Sequence, residues 1–189
     1  MPERKYETAF KMFNADLTCT MGRGKYQFRP GEWHEEPESN CRRNGFHCAK
    51  NPLDCLTYYG NWDKSQCWLV ELDGTVDEDD HDSKVSATRI RLARHLSLLD
   101  FVVAAGQYIV DHPRMPVHAL VGVEEAEAGC NHFAVCRGKN PKAKGRKGDI
   151  LLLLKEYGDA PEIEGAGLWV VGSDDRKPGV WYDVEGMEA

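Results

Sequence analysis

No apolar run in this chain is long enough to cross a bilayer. A run such as Ile150–Leu154, five residues and exceeded by none, falls far short of the ~20 residues needed. The charged start Met1-Pro2-Glu3-Arg4-Lys5-Tyr6-Glu7 has no apolar stretch behind it, so no secretory signal is expected. Positive charge is in deficit: 24 Lys and Arg stand against 31 Asp and Glu, a net charge of −7. A generic nucleic-acid binder should be basic, so that class is disfavoured. The sequence also lacks Cys-x-x-Cys, Gly-x-Gly-x-x-Gly, a P-loop and Gly-x-Ser-x-Gly. Met21-Gly22-Arg23-Gly24-Lys25 is too short for a phosphate loop and reads as a turn.

What is present describes a globular protein. The 189 residues are 41% hydrophobic and 29% charged, enough for one domain, or a domain and a smaller module, with a real core. Seven cysteines, at 19, 41, 48, 55, 67, 130 and 136, are an odd number in a chain without an export signal. A reduced, cytoplasmic setting without structural disulfides is expected. His47-Cys48, or Cys130, His132 and Cys136, could ligate zinc only if the fold gathered them. Buried free thiols are the simpler expectation and no metal site is assigned.

Charge is clustered in two places. An acidic run spans Glu71 to Asp82, and a basic run, Arg137 to Lys147, includes Lys142, Lys144, Arg146 and Lys147. Both read as solvated turns. The acidic run could also contact a basic protein or hold a divalent cation, although its spacing is not that of a calcium loop. The basic run is interrupted by Gly138, Pro141 and Gly145 and is expected on a turn-rich rung, where it could contact phosphate or carboxylate.

Hydrophobic periodicity predicts strands over 6–13, 25–28, 45–48, 67–72 and 85–92. Asn51-Pro52 followed by Leu53, Leu56 and Tyr59 predicts a short helix over 52–59. A second helix should begin after Ser97, its apolar face formed by Leu98, Phe101, Val102, Ala105, Ile109 and Val110, and stop at Asp111-His112-Pro113. Further strands are expected over 133–137, 149–157, 168–172 and 180–184. The fold class is α+β: an N-terminal mixed α/β domain over 1–113, a connector over 114–128, and a mostly β C-terminal module over 129–189.

Several segments taken together resemble an uncharacterised domain family common in phage and prophage genomes. They are Ala9–Asn14 with Leu17-Thr18-Cys19, Lys25–Phe28, Gly45-Phe46-His47-Cys48 running into Asn51-Pro52-Leu53-Asp54 and Tyr58-Tyr59, then Asp82-Ser83-Lys84. Farther on, Gly148–Leu154 and Lys177-Pro178-Gly179-Val180-Trp181-Tyr182 resemble that family's tail, which implies a β-solenoid-like C-terminal stretch of rungs and hairpins. Met12 stands where the family has Gly, and the repeats are reduced to about one rung. No reaction comes with the resemblance. It implies a setting: an accessory protein of a phage or mobile element in bacterial cytoplasm.

Two functions compete. In the first, the chain binds a host or defence-system macromolecule, as an anti-defence or anti-CRISPR-type inhibitor, through Trp33, Trp62 and the basic cluster Lys142, Lys144, Arg146 and Lys147. Trp33 and Trp62 stand in polar sequence, and exposed aromatics favour interfaces. This reading needs no cofactor. In the second, the chain is an NAD-dependent transferase resembling ADP-ribosyltransferases. There Arg23, Arg29 or His47 would touch the dinucleotide, Tyr58 or Tyr59 would stack on it, and Glu71 would supply the acid. A His47–Cys48 nucleophile pair is disfavoured because neighbours on a strand face opposite ways.

Overall fold

Alternation of apolar and polar residues makes the longest strands here, and their pairing is set by which side is buried. The structure is a computed structural model and describes residues 5–20, 24–41, 43–78 and 83–189. It divides into two compact units, Met1–Ser97 and Leu98–Ala189. The division falls between Ser97 and Leu98, ahead of the second helix and not behind it. Both units are dominated by strands, so the chain is α+β with an excess of β.

In the first unit the elements are β1 (Glu7–Asn14), β2 (Thr18–Cys19), β3 (Tyr26–Gln27), β4 (Trp33–Glu35), β5 (Phe46–Ala49), α1 (Pro52–Tyr59), β6 (Ser65–Glu78) and β7 (Lys84–Leu96). The five-stranded sheet has the order β4-β7-β5-β1-β6, and β6 pairs again with β7, so β7–β5–β1–β6 closes into a circuit. Its interior holds Ala9, Phe13, Phe28, Phe46, Val70 and Ile90, all buried. β6 is longer than the 67–72 expected because two bulges, at Leu69/Val70 and between Asp73 and Val76, let it curve with β7. At the second bulge Gly74 has φ +75, and a Cβ there would lie 2.2 Å from Thr88 Oγ1.

The start of the acidic run is strand, not loop. Glu71 and Asp73 lie opposite Arg91 and Arg89 and pair with them. Both arginines also pack on Trp33, each guanidinium 4.8 Å from its ring centroid, and Tyr6 packs on the same indole at 5.0 Å. Trp33 therefore belongs to β4 and to an intramolecular stack, not to a polar loop. Trp62 sits half-buried in a single 3-10 turn. The rest of the acidic run, 79–82, lies outside the described residues.

Helix α1 forms where its caps dictate. The Asn51 side chain accepts from Leu53 N at 3.1 Å, Pro52 opens the first turn, and Gly60 in the left-handed region closes the last one onto Leu56 O at 2.7 Å.

The second unit contains α2 (Leu98–Asp111), β8 (Val121–Glu127), β9 (Phe133–Lys144), β10 (Ile150–Glu156) and β11 (Ile163–Val170), with sheet order β11-β10-β9-β8. Helix α2 covers one face, with Phe101 5.9 Å from Phe133 and Gly106 pressed against Leu152. On another cluster Ala134, Cys136, Ala143, Leu151, Leu153 and Tyr182 pack together. The expected connector 114–128 thus contains a strand. β8 escaped notice because its alternation is polar on one side and turns sharply at Glu124, whose φ is +64.

β9 and β8 run parallel, joined only through 128–132. So short a return is possible because both strands turn a corner, β8 at Glu124 and β9 at Gly138. The Glu124 carboxylate accepts from the backbone of Lys139 at 2.8 Å and Asn140 at 3.0 Å, tying the two corners together.

This corner also converts the basic run from turn to strand. Lys142 and Lys144 lie opposite Glu125 and Glu127 and pair with them at 3.2 and 3.1 Å, and both ammonium groups sit over Trp181. Arg137 is buried and bonded to Glu156 and to the carbonyls of Pro113 and Pro161. Arg146 and Lys147 remain exposed at the turn before β10. The strands expected over 168–172 and 180–184 are displaced. β11 begins earlier, its pattern masked by Gly165 and Gly167, and the later segment keeps one bridge, Tyr182 to Ala143.

Gly122 tests the corner. A Cβ there would lie 2.2 Å from the Glu125 carbonyl oxygen, so backbone must move. Gly122→Ala is expected to destabilise the second unit by about 1–3 kcal/mol. Gly129→Ala, where a Cβ meets nothing within 4 Å, should stay within about 0.5 kcal/mol of the parent. Urea unfolding midpoints of the two variants decide it; equal midpoints would contradict the corner.

Candidate functional site

β1 and β5 are neighbours in the sheet, yet they pair at one position only, Phe10 opposite Ala49. Elsewhere the two strands part, and a cleft of about 1280 Å³ opens over the seam. One strand brings Phe10, Lys11 and Met12 to the lining, and the other brings Phe46, His47 and Cys48. Helix α1 contributes Cys55, Tyr58 and Tyr59, the β3 region Tyr26 and Phe28, and β7 contributes Lys84. It is large enough for a small organic molecule, and its aromatic walls are accompanied by charged groups, among them Lys11, Glu36, Glu38 and Arg43.

Lys11 is the unusual member. Odd positions of β1 face the interior, so Ala9, Lys11 and Phe13 share a side. Lys11 is 6% exposed. Its Nζ donates to the His47 carbonyl at 2.6 Å, across the open seam, and lies 5.4 Å and 5.7 Å from the rings of Phe13 and Phe28. Among the described residues no carboxylate pairs with it. Contact with an aromatic face contributes about 0.5–2 kcal/mol, whereas desolvating an ammonium costs several kcal/mol. The charge is left undercompensated at the edge of a cavity.

His47 donates from Nε2 to the Cys41 carbonyl at 2.9 Å. Burial lowers its pKa from the ordinary 6.5, and the Lys11 charge lowers it further. It is therefore a neutral imidazole at neutral pH. Four cysteines also line the cleft. Burial pushes the Cys48 thiol up to about 12, and Cys55 is raised well above its ordinary value, so neither is a ready nucleophile. Tyr59 donates its hydroxyl to Cys19 Sγ at 3.4 Å, and burial raises its pKa. Tyr58 is 45% exposed at the rim. Near it the Tyr26 hydroxyl bonds His34 Nδ1 at 3.2 Å. His34 Nε2 meets the backbone N–H of Arg29 at 3.0 Å and its carbonyl at 3.2 Å, which fixes the ring in place.

Of the residues singled out from sequence, His47, Tyr58 and Tyr59 come together in this cleft. Glu71 does not. It points to Arg91, which bonds it at 2.7 Å, and the carboxylates on the lining are Glu36 and Glu38. Arg29 is exposed beside Glu32, and Arg23 lies outside the described residues. Trp33 and Trp62 are absent from the lining, and Lys142, Lys144, Arg146 and Lys147 belong to the second unit. Sequence reasoning passed over Lys11, although a lysine between Ala9 and Phe13 on the inward face of a strand was the available signal. Among the described residues no three His, Cys, Asp or Glu side chains are gathered as metal ligands. No described helix is long and apolar enough to cross a membrane.

His47 gives the unit a pH dependence. Its folded pKa is lowered, so its contribution to stability is present above about 6.5 and is lost as pH falls through the lowered folded value. His47→Gln retains a donor for Cys41 and should cost no more than about 1 kcal/mol at pH 8. The stability difference between parent and variant should narrow as pH falls from 8 to 5. A difference that is constant with pH would show that His47 does not titrate in this way.

No curated protein and no solved structure matches the chain. One family does, over residues 7–104, which takes in all seven β-strands of the first unit, α1 and the start of α2. The cleft and every residue lining it fall inside that span, and the chain belongs to this family, the domain of unknown function DUF7666.

Proposed function

We propose that the first unit is a ligand-binding module whose cleft takes a small organic molecule with a planar part. The observation that carries this is the convergence of His47, Tyr58 and Tyr59 with Tyr26, Phe46 and Lys11 around one concave space. A flat docking surface would leave aromatics unengaged, whereas Trp33 is engaged by Arg89 and Arg91. A dinucleotide such as NAD is the first ligand to try, because the histidine and tyrosines assigned to it share the cleft. Group transfer would draw its carboxylate from Glu36 or Glu38, since Arg91 engages Glu71. Binding without chemistry is the simpler function.

The resemblance to phage and prophage proteins supplies the proposed setting: an accessory protein in bacterial cytoplasm acting on a host or defence component, here by capturing a small ligand that the host makes. A solenoid-like C-terminal module belongs to the same proposal. It is supported by Val121 lying beside Val135 and Phe133 beside Ile150 in parallel register.

The test is a thermal-shift and calorimetric screen of nucleotides, dinucleotides and aromatic acids. At 100 times Kd a ligand adds about 2.7 kcal/mol of stability. Tyr58→Ala, at the exposed rim, should keep the fold and weaken the ligand found by about 5- to 50-fold. If nothing in the screen binds at millimolar concentration, or if Tyr58→Ala and Tyr26→Ala leave the affinity unchanged, the cleft is not the site.

A further inference from the structure

The cleft's undercompensated charge says what its ligand must carry. We infer that Lys11 is an anion anchor, and that the ligand presents an oxyanion, phosphate or carboxylate, to its ammonium group at the seam between β1 and β5. This rests on the ligand-binding reading above and adds the chemical class.

Three observations converge on it. Lys11 is more than nine-tenths buried and lines the cleft. An ammonium has three N–H donors, and among the described residues a single hydrogen bond, to the His47 carbonyl, is made. No described carboxylate neutralises it, although buried charges are ordinarily paired. The surroundings rule out the simplest internal counter-ion. Cys48 and Cys55, the thiols that feel the Lys11 charge, are kept protonated by burial, so neither supplies a thiolate. The other cations of the lining differ. Lys25 is engaged by Asp16 at 3.0 Å, Lys84 sits at the rim with Tyr58, and Arg43 is exposed. Lys11 is the deep, preorganised cation, and the aromatic walls suit the rest of the molecule.

The probes are two matched pairs that differ only in the anion: AMP against adenosine, and 4-hydroxyphenylacetate against its amide. The full chain is used, at constant ionic strength, with affinities from calorimetry. The anionic member of at least one pair should bind at least tenfold more tightly than its neutral partner, and which pair does so distinguishes phosphate from carboxylate. Lys11→Met matches the side chain in length and removes the buried charge but also the donor to the His47 carbonyl, so the two effects oppose and the variant should stay folded, with a melting temperature close to the parent's. In it the anionic preference should fall to within twofold, with the neutral members bound as before. Should Lys11→Met not fold, Lys11→Gln serves, together with competition of the parent by pyrophosphate. Equal binding of both members of both pairs, or a preference that survives loss of Lys11, overturns the anchor while leaving the cleft as a binding site. Absence of binding by all four probes and by NAD removes both readings.

Discussion

The first unit depends on a seam left open. β1 and β5 occupy adjacent places in a closed circuit of strands, yet they share one paired position, Phe10 with Ala49. A strand pair that parts leaves backbone carbonyls and amides without partners, and such groups cannot be buried without cost. One is met by Lys11, which reaches across to the His47 carbonyl, and the gap is walled by side chains from α1 and the β3 region. β7 makes the opening tolerable, because it pairs with β4, β5 and β6 at once. The circuit is therefore held from the far side, and the near side is free to form a site.

The second unit solves a different problem: parallel strands joined by very short returns. Its corners at Glu124 and Gly138 are locked by a carboxylate on two backbone N–H groups. Beyond them, Glu125 with Lys142 and Glu127 with Lys144 align the last part of β8 on β9. Each half-exposed pair contributes little energy, about 0–1 kcal/mol. Their value lies in register, because sliding β8 by one residue would bring like faces and wrong charges together. The acidic and basic runs read from sequence as solvated turns are, in large part, partners in ladders: Glu71 and Asp73 with arginines of β7, Lys142 and Lys144 with glutamates of β8.

That explains which parts of the fold were legible. α1 was readable to the residue because its information is local: Asn51, Pro52 and Gly60 each do their work within one turn. The core of β6, β7 and β10 was readable because apolar runs need burial wherever they pair. β8 and the second half of β9 were not, since their strand character depends on charges that meet only after the chain has turned back. That the compact units divide ahead of α2 was hidden for a related reason. The apolar face of α2 showed that the helix must pack on something, but not that its partner would be β9 and β10. His47, Tyr58 and Tyr59, singled out through the spacing of Gly45–Cys48 and Asn51–Tyr59, line one cleft. Glu71 is engaged by Arg91 and lies off the cleft's lining, which strand alternation could not foretell because it gives a side and not a neighbour.

Lys11 is where local and global preference disagree. Met12, Phe13 and Ala9 are what a buried strand calls for, and a lysine on the inward face is not. A natural sequence is ordinarily consistent across such levels, and departures concentrate where function demands them. Replacing a buried charge by an apolar side chain of similar length is commonly neutral or stabilising. The chain therefore carries a lysine at a position where an apolar side chain would avoid desolvating an ammonium. The seam explains why that residue can be accommodated, through the His47 carbonyl and two aromatic rings, but accommodation is not a reason for a charge. An oxyanion bound in the cleft supplies one: it would complete the hydrogen bonds of the ammonium and neutralise it in a water-poor setting. Stability given up in the empty protein would then return as affinity in the occupied one.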